Sequence, residues 1–174
     1  MPISVIANPP TLTWAHFTPV ASLIDPNDGT AIDALTRFDF VIPRATAPRT
    51  VDGMQAYPES FTITVTPNAQ VVTGTNQTAG LLAHEQLHYD IGIMTVRQFA
   101  RDLQSLRAPD LAGLIRKTQE SQRLHTVTRA RILQNRIDLD TRHGTNAHYQ
   151  RVWADRIRAA VAVPTTTQVG GFFL

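Results

Sequence analysis

The chain has 174 residues, with 16 Lys and Arg against 14 Asp and Glu, 43% hydrophobic residues, 17% charged residues and no Cys. That balance excludes a disordered chain, and the length predicts a single domain, 1–174, able to bury roughly two-thirds of its unfolded surface. The missing Cys excludes disulfide scaffolds, thiolate metal sites and cysteine nucleophiles, so any metal must sit on His and carboxylates.

The opening residues, MPISVIANPP, show no basic segment followed by an apolar one, so no signal peptide is expected within this chain. Residues 1–78 carry three Arg against six acids, net −3, and are rich in Pro, Thr and Asn. Ile3–Ala7 and Thr11–Phe17 read as weak strand candidates. In Thr36–Ile42, Phe38, Phe40 and Ile42 alternate with other residues, and in Glu59–Thr66 Phe61, Ile63 and Val65 alternate with threonines. Both patterns predict half-buried strands. Gln70–Thr73 is a further short candidate. Turns are expected at Pro9-Pro10, at Asp25-Pro26-Asn27-Asp28-Gly29 and at Pro67-Asn68.

Composition changes after Thr78. Residues 79–174 carry 13 basic residues against eight acids, net +5. Over 79–106 there is no Pro, and Val96, Phe99, Leu103 and Leu106 recur at helical spacing. Ala108-Pro109 breaks this helix, and Asp110 can cap a second one running to about Thr141. A third helix is expected from about Asn146 to Val161, with Gly170–Leu174 a terminal strand or a frayed end. No apolar run approaches the ~18–20 residues of a membrane span. Strands first and helices second predict an α+β fold, a β-rich half at 1–78 and a helical half at 79–174.

The first helix contains His84-Glu85-Gln86-Leu87-His88, an HExxH pattern. Residues four apart share a helical face, so His84 and His88 can present ring nitrogens to one Zn²⁺ at ~2.0–2.1 Å. Glu85 is placed to act as general base toward a zinc-bound water, whose pKa the metal lowers. Only three Glu occur among 174 residues, and chance predicts roughly 0.003–0.004 copies of the pattern. The preceding Leu81-Leu82-Ala83 predicts partial burial, where a charged Glu needs a partner such as a metal.

The third ligand must come from elsewhere. Ile91 and Met94 occupy the Gly and His positions of the extended HExxHxxGxxH motif, which excludes that class. His125, His143, His148, Glu120, Asp138 and Asp140 remain. If the first two helices form a straight antiparallel hairpin, His88 faces about residue 128 and His143 lies ~22 Å further on, which favours His125.

The stretch Leu81–Ile91, LLAHEQLHYDI, followed by Arg101-Asp102-Leu103, resembles a bacterial HExxH family of unknown function predicted to be secreted zinc-dependent proteases. That family continues with Asp-x-x-Thr-x-His-Gly, then Gln and Trp, matched here by Asp138–Gly144, Gln150 and Trp153. Leu12-Thr13-Trp14-x-x-Phe17 resembles its opening, while Leu87 and Ile137 depart from its usual Gly and aromatic. The resemblance implies a zincin-like fold, a peptide or protein substrate, periplasmic or secreted location, and His143 as third zinc ligand.

Around such a centre Asp90 and Asp138 are candidates to accept a ligand histidine's N–H. Tyr89, Arg142, His148 and Tyr149 are candidate donors to a developing oxyanion. Glu59–Thr66 is the candidate strand for holding an extended substrate by β-addition. Arg116, Lys117, Arg123, Arg129, Arg131 and Arg136 read as a solvated helix face without interleaved aromatics, so no nucleic-acid partner is expected despite a pI of about 9.5. The alternative to a peptidase is a metal-stabilised binding or scaffold domain without turnover, in which a fourth protein ligand closes the site.

Overall fold

The computed structural model describes residues 3–43 and 47–174. The fold is mixed α+β, with strands in the N-terminal half and helices in the C-terminal half. The long strand β6 (Thr62–Val72) forms the middle of the main sheet. On one side it pairs antiparallel with β3 (Ala34–Val41), Ala34 opposite Val71 and Val41 opposite Thr64. Along the other side, β1 (Ser4–Ala7) and β2 (Phe17–Val20) lie end to end, both parallel to β6, against 62–65 and 69–72 respectively.

β6 joins two segments that the sequence predicts as separate strands, and Pro67-Asn68 is no turn. Ile63, Val65, Ala69 and Val71 all bury on one face, so the period of two runs through the proline. Residues 66–68 fall in the gap between β1 and β2, where a residue without an N–H costs least. The candidate strand at Thr11–Phe17 is a 3-10 turn over Trp14–His16, and β2 begins only at Phe17. A small hairpin, β4 (Arg49–Val51) with β5 (Met54–Ala56), completes this half.

Helix α1 (Ala79–Ser105) starts at Thr78, whose hydroxyl accepts the Leu81 N–H. Fifteen of its 27 residues are buried, more than one apolar stripe provides, because it is packed on two sides. Tyr89, Ile93, Val96, Phe99 and Leu103 meet the sheet residues Ile63, Val65 and Val71. Leu87, Ile91 and Met94 meet Leu133, Ile137, Trp153 and Ile157 from the later helices. The histidine motif therefore lies on a helix sandwiched between sheet and helices, and among the described residues no helix is long and apolar enough to cross a membrane.

Gly92 sits where α1 crosses β3, and a Cβ there would overlap the Phe38 ring. Gly92→Ala is expected to lower stability by about 1–3 kcal/mol, the usual cost of overpacking a core. Urea denaturation of the variant checks this.

Helix α2 (Leu111–Gln122) is capped by Asp110, whose side chain accepts the Gly113 N–H. It runs through a π-helical turn, Arg123–Arg129, into α3 (Ala130–Thr141). α4 (Ala147–Ala162) is capped by Asn146, and the tail forms the hairpin β7 (Gln168–Val169) and β8 (Phe172–Phe173), burying Leu174.

Candidate metal centre

One turn into α1, three atoms converge. His88 Nε2 lies 2.9 Å from Asp138 Oδ1, His84 Nε2 lies 3.1 Å from the same oxygen, and the two ring nitrogens are 3.1 Å apart. Spacing of four on α1 supplies the histidines, and α3 supplies the carboxylate near its C-terminus. Helix register explains this meeting. Gln134 lies beside the His88 carbonyl, where straight-hairpin arithmetic puts residue 128. The non-helical stretch 106–110 bonds to β5 through Ala108 and Gln55, and the π-helical turn interrupts α2–α3, so the simple hairpin count fails.

Three polar atoms 2.9 to 3.1 Å apart stay together only with a shared proton or a cation between them. The donor set of two imidazoles and a carboxylate suits zinc. His84 is oriented for it: its Nδ1 lies 3.2 Å from Gln150 Oε1, which leaves Nε2 free to face the centre. Glu85 is 2% exposed and its Oε2 has no hydrogen-bond partner. His84, Glu85, His88 and Asp138 all line a cavity of about 870 Å³, bounded opposite by the loop after Leu23 and by β3.

Without metal, the site is an ion pair. Burial alone lowers the His88 pKa, but the Asp138 charge and hydrogen bond, with Glu85 and Asp25 behind them, push it up to about 9. The same histidines hold the Asp138 carboxyl well below the usual carboxylate range against the opposing effect of burial. Because His88 binds its proton more tightly folded than unfolded, its stabilisation is complete below about pH 6.5 and is lost as pH rises through about 9. Chelator-treated protein is therefore expected to melt at falling temperature between those values. Zinc-loaded protein, with deprotonated ligands, should not follow that curve.

The turn after α3 explains the Asp138-x-x-Thr141-x-His143-Gly144 pattern. Arg142, His143 and Gly144 are successively left-handed, at φ 50, 52 and 82. Buried Thr141 ties the turn: its hydroxyl donates to the Ile137 carbonyl at 2.7 Å and accepts the Gly144 N–H at 3.1 Å. A Cβ on Gly144 would lie 3.0 Å from His84 Cβ and Cγ. The turn thus presses directly on His84.

His143 itself is not in the tight triad. Its Nδ1 is 3.9 Å from Asp138 Oδ1 and 3.8 Å from Asp25 Oδ2, and its Nε2 is 3.9 Å from Asp28 Oδ2. Asp138 stands closest in the third position, which the family resemblance gives to His143.

The other candidates lie elsewhere. His125 is buried against Asp102, 2.9 Å from Oδ2, with Ser121 donating to that same oxygen. Asp140 accepts from Trp153 Nε1 and Arg136 Nε, both at 3.0 Å, so the motif's Trp anchors α4 to α3. Glu120 is exposed on α2 and His148 on α4.

Of the expected helpers, Tyr89 points to the sheet, where its hydroxyl donates to the Val65 carbonyl at 2.8 Å, so it is no oxyanion donor. His148 and Tyr149 stack on each other at the surface. Asp90 accepts from Gln86 Nε2 and, among the described residues, bonds neither His84 nor His88; burial raises its pKa to about 6 despite the Gln86 bond and the Arg97 charge. Arg142 does line the cavity. β6 cannot accept a substrate strand, since β1 and β3 flank it; the strand that borders the cavity is β3, through Ala34–Arg37. The basic face is only partly solvated, because Arg129 donates to the Leu174 carbonyl and Arg131 lines the cavity.

Asp25, 4% exposed, was legible only as part of a turn. Two aspartates in five residues, Asp25 and Asp28, are the signal for it. Comparison of this chain with protein families, curated proteins and solved structures finds no match.

Proposed function

We propose that this chain is a zincin-like zinc-dependent peptidase in which His84, His88 and Asp138 hold the metal. The observation that carries the reading is the convergence of those three side chains within 3.1 Å of one another, beside the buried, unpartnered Glu85 Oε2, in one cavity. A zinc ion there would supply a Lewis acid for a peptide carbonyl and would acidify water.

The chain's own groups do the rest. Glu85 Oε2 takes a proton from the attacking water and delivers it to the leaving amine nitrogen. The missing partner at that oxygen keeps it available for the transfer. Gln150 holds the His84 ring, and the Thr141-tied turn fixes its position. Arg142, which lines the cavity, is the candidate cationic donor for the charge that develops on the carbonyl oxygen. β3 offers its free edge along the cavity, where an extended peptide can add as a strand. An exported protein is part of the same proposal, through the family resemblance.

The second reading, a metal-stabilised domain without turnover, draws on His143, which lies near enough to become a fourth ligand. Hydrolysis by the wild-type chain, which the second reading does not allow, separates the two, and Glu85→Gln tests the base. The peptidase reading expects hydrolysis of a denatured protein substrate to fall by at least ~10²-fold, the usual contribution of a general base, with zinc content unchanged. Unchanged hydrolysis would remove Glu85 from the mechanism.

A further inference from the structure

The cavity contains more buried negative charge than one zinc site uses. Asp25, Asp138 and Glu85 line it, half-exposed Asp28 lies close by against His143, and among the described residues no Lys or Arg forms an ion pair with any of them. Asp25 and Asp138 are too buried to be compensated by solvent alone.

His143 occupies the centre of this group, 3.8 to 3.9 Å from carboxylate oxygens of Asp25, Asp28 and Asp138. Those distances are too long for hydrogen bonds, and among the described residues none reaches either ring nitrogen. Nδ1 faces Asp25 and Asp138, leaving room for an ion among the three, while Nε2 on the other edge of the ring faces Asp28. Two strained left-handed residues, Arg142 and His143, keep the ring there. Glu85 Oε2, buried and without a hydrogen-bond partner among the described residues, lines the same cavity.

We propose that this cavity binds a second divalent cation, held by Asp25 and His143 and bridged to the first through Asp138. The proposal rests on the reading that His84, His88 and Asp138 form the first site. Asp138 belongs to both groups: with His84 and His88 on one side, and with Asp25 and His143 on the other. Two ions sharing a carboxylate about 3.5–4 Å apart form a recurrent hydrolytic arrangement. The second group is the looser one, its ligands 3.8 to 3.9 Å apart against 2.9 to 3.1 Å in the first, so its ion binds more weakly. One imidazole with carboxylates suits Zn²⁺ or Mn²⁺. Asp28, half-exposed at the rim, would contribute through water.

The test is a calorimetric titration of chelator-treated protein with Zn²⁺ alone. Two equivalents are expected, the second bound roughly tenfold or more weakly than the first. Asp25→Asn should remove the weak equivalent and leave the tight one. A single equivalent in the wild type, kept in both Asp25→Asn and His143→Ala, overturns the second ion while sparing the first site. A single equivalent lost in His143→Ala but kept in Asp25→Asn overturns it too, and places His143 in the first site. No zinc uptake at all overturns the metal reading itself. The wild-type stoichiometry decides the matter even where a variant folds poorly.

Discussion

Asp138→Ala is expected to weaken zinc binding by well over 10²-fold, beyond the ~10–100-fold that loss of an outer hydrogen-bond partner costs a metal site. The same substitution leaves His84 and His88 with nitrogens 3.1 Å apart and no carboxylate between them. In metal-free protein at pH 7 the lost ion pair costs about 2–3 kcal/mol, since His88 no longer keeps its proton two pH units above neutrality. Asp140→Ala is the comparison. Asp140 is two residues away but bonds Arg136 and Trp153, so its loss should reduce stability while zinc affinity stays near wild type. Chelator competition and thermal melts measure both effects.

Gly144→Ala should be nearly as damaging although Gly144 ligates nothing. Its φ of 82 is left-handed, a region that costs a residue with a Cβ roughly 1–2 kcal/mol. The new methyl would also stand 3.0 Å from the His84 side chain, which Gln150 and the α1 backbone hold in place. Together these effects should total about 2–4 kcal/mol in stability, with weaker zinc binding because the His84 ring must shift. Gly29→Ala isolates the contact: φ there is 77 but nothing lies within 4 Å, so only the conformational cost is expected. Equal losses in the two variants, with zinc affinity intact in both, would mean that the turn does not position His84.

The parts legible from sequence were those governed by local rules. Spacing of four places His84 and His88 together, Asp110 caps its helix, the last helix starts at Asn146, and alternation identifies β3 and most of β6. What failed depended on partners distant in the chain. Pro67 reads as a turn residue in isolation, yet it lies in a central strand because β1 and β2 leave a gap opposite it. The third position of the triad depends on how far α3 slides along α1. That register is set by the Ala108–Gln55 pairing and a π-helical turn, neither of which has a periodic signature. Tyr89 and Asp90 follow the motif directly, but successive helix residues are ~100° apart, so Tyr89 turns to the sheet and Asp90 bonds Gln86 on its own helix. Asp25 is contributed by a loop some sixty residues before the motif, so no spacing links it to His84.

The zinc-edge X-ray absorption spectrum of protein loaded with one equivalent tests the central claim most directly. The account predicts two imidazole nitrogens and a carboxylate oxygen at ~2.0–2.2 Å, with the imidazole signal unchanged in His143→Ala and the oxygen lost in Asp138→Ala. A spectrum of three imidazoles that loses one in His143→Ala, or one indifferent to Asp138, would contradict it.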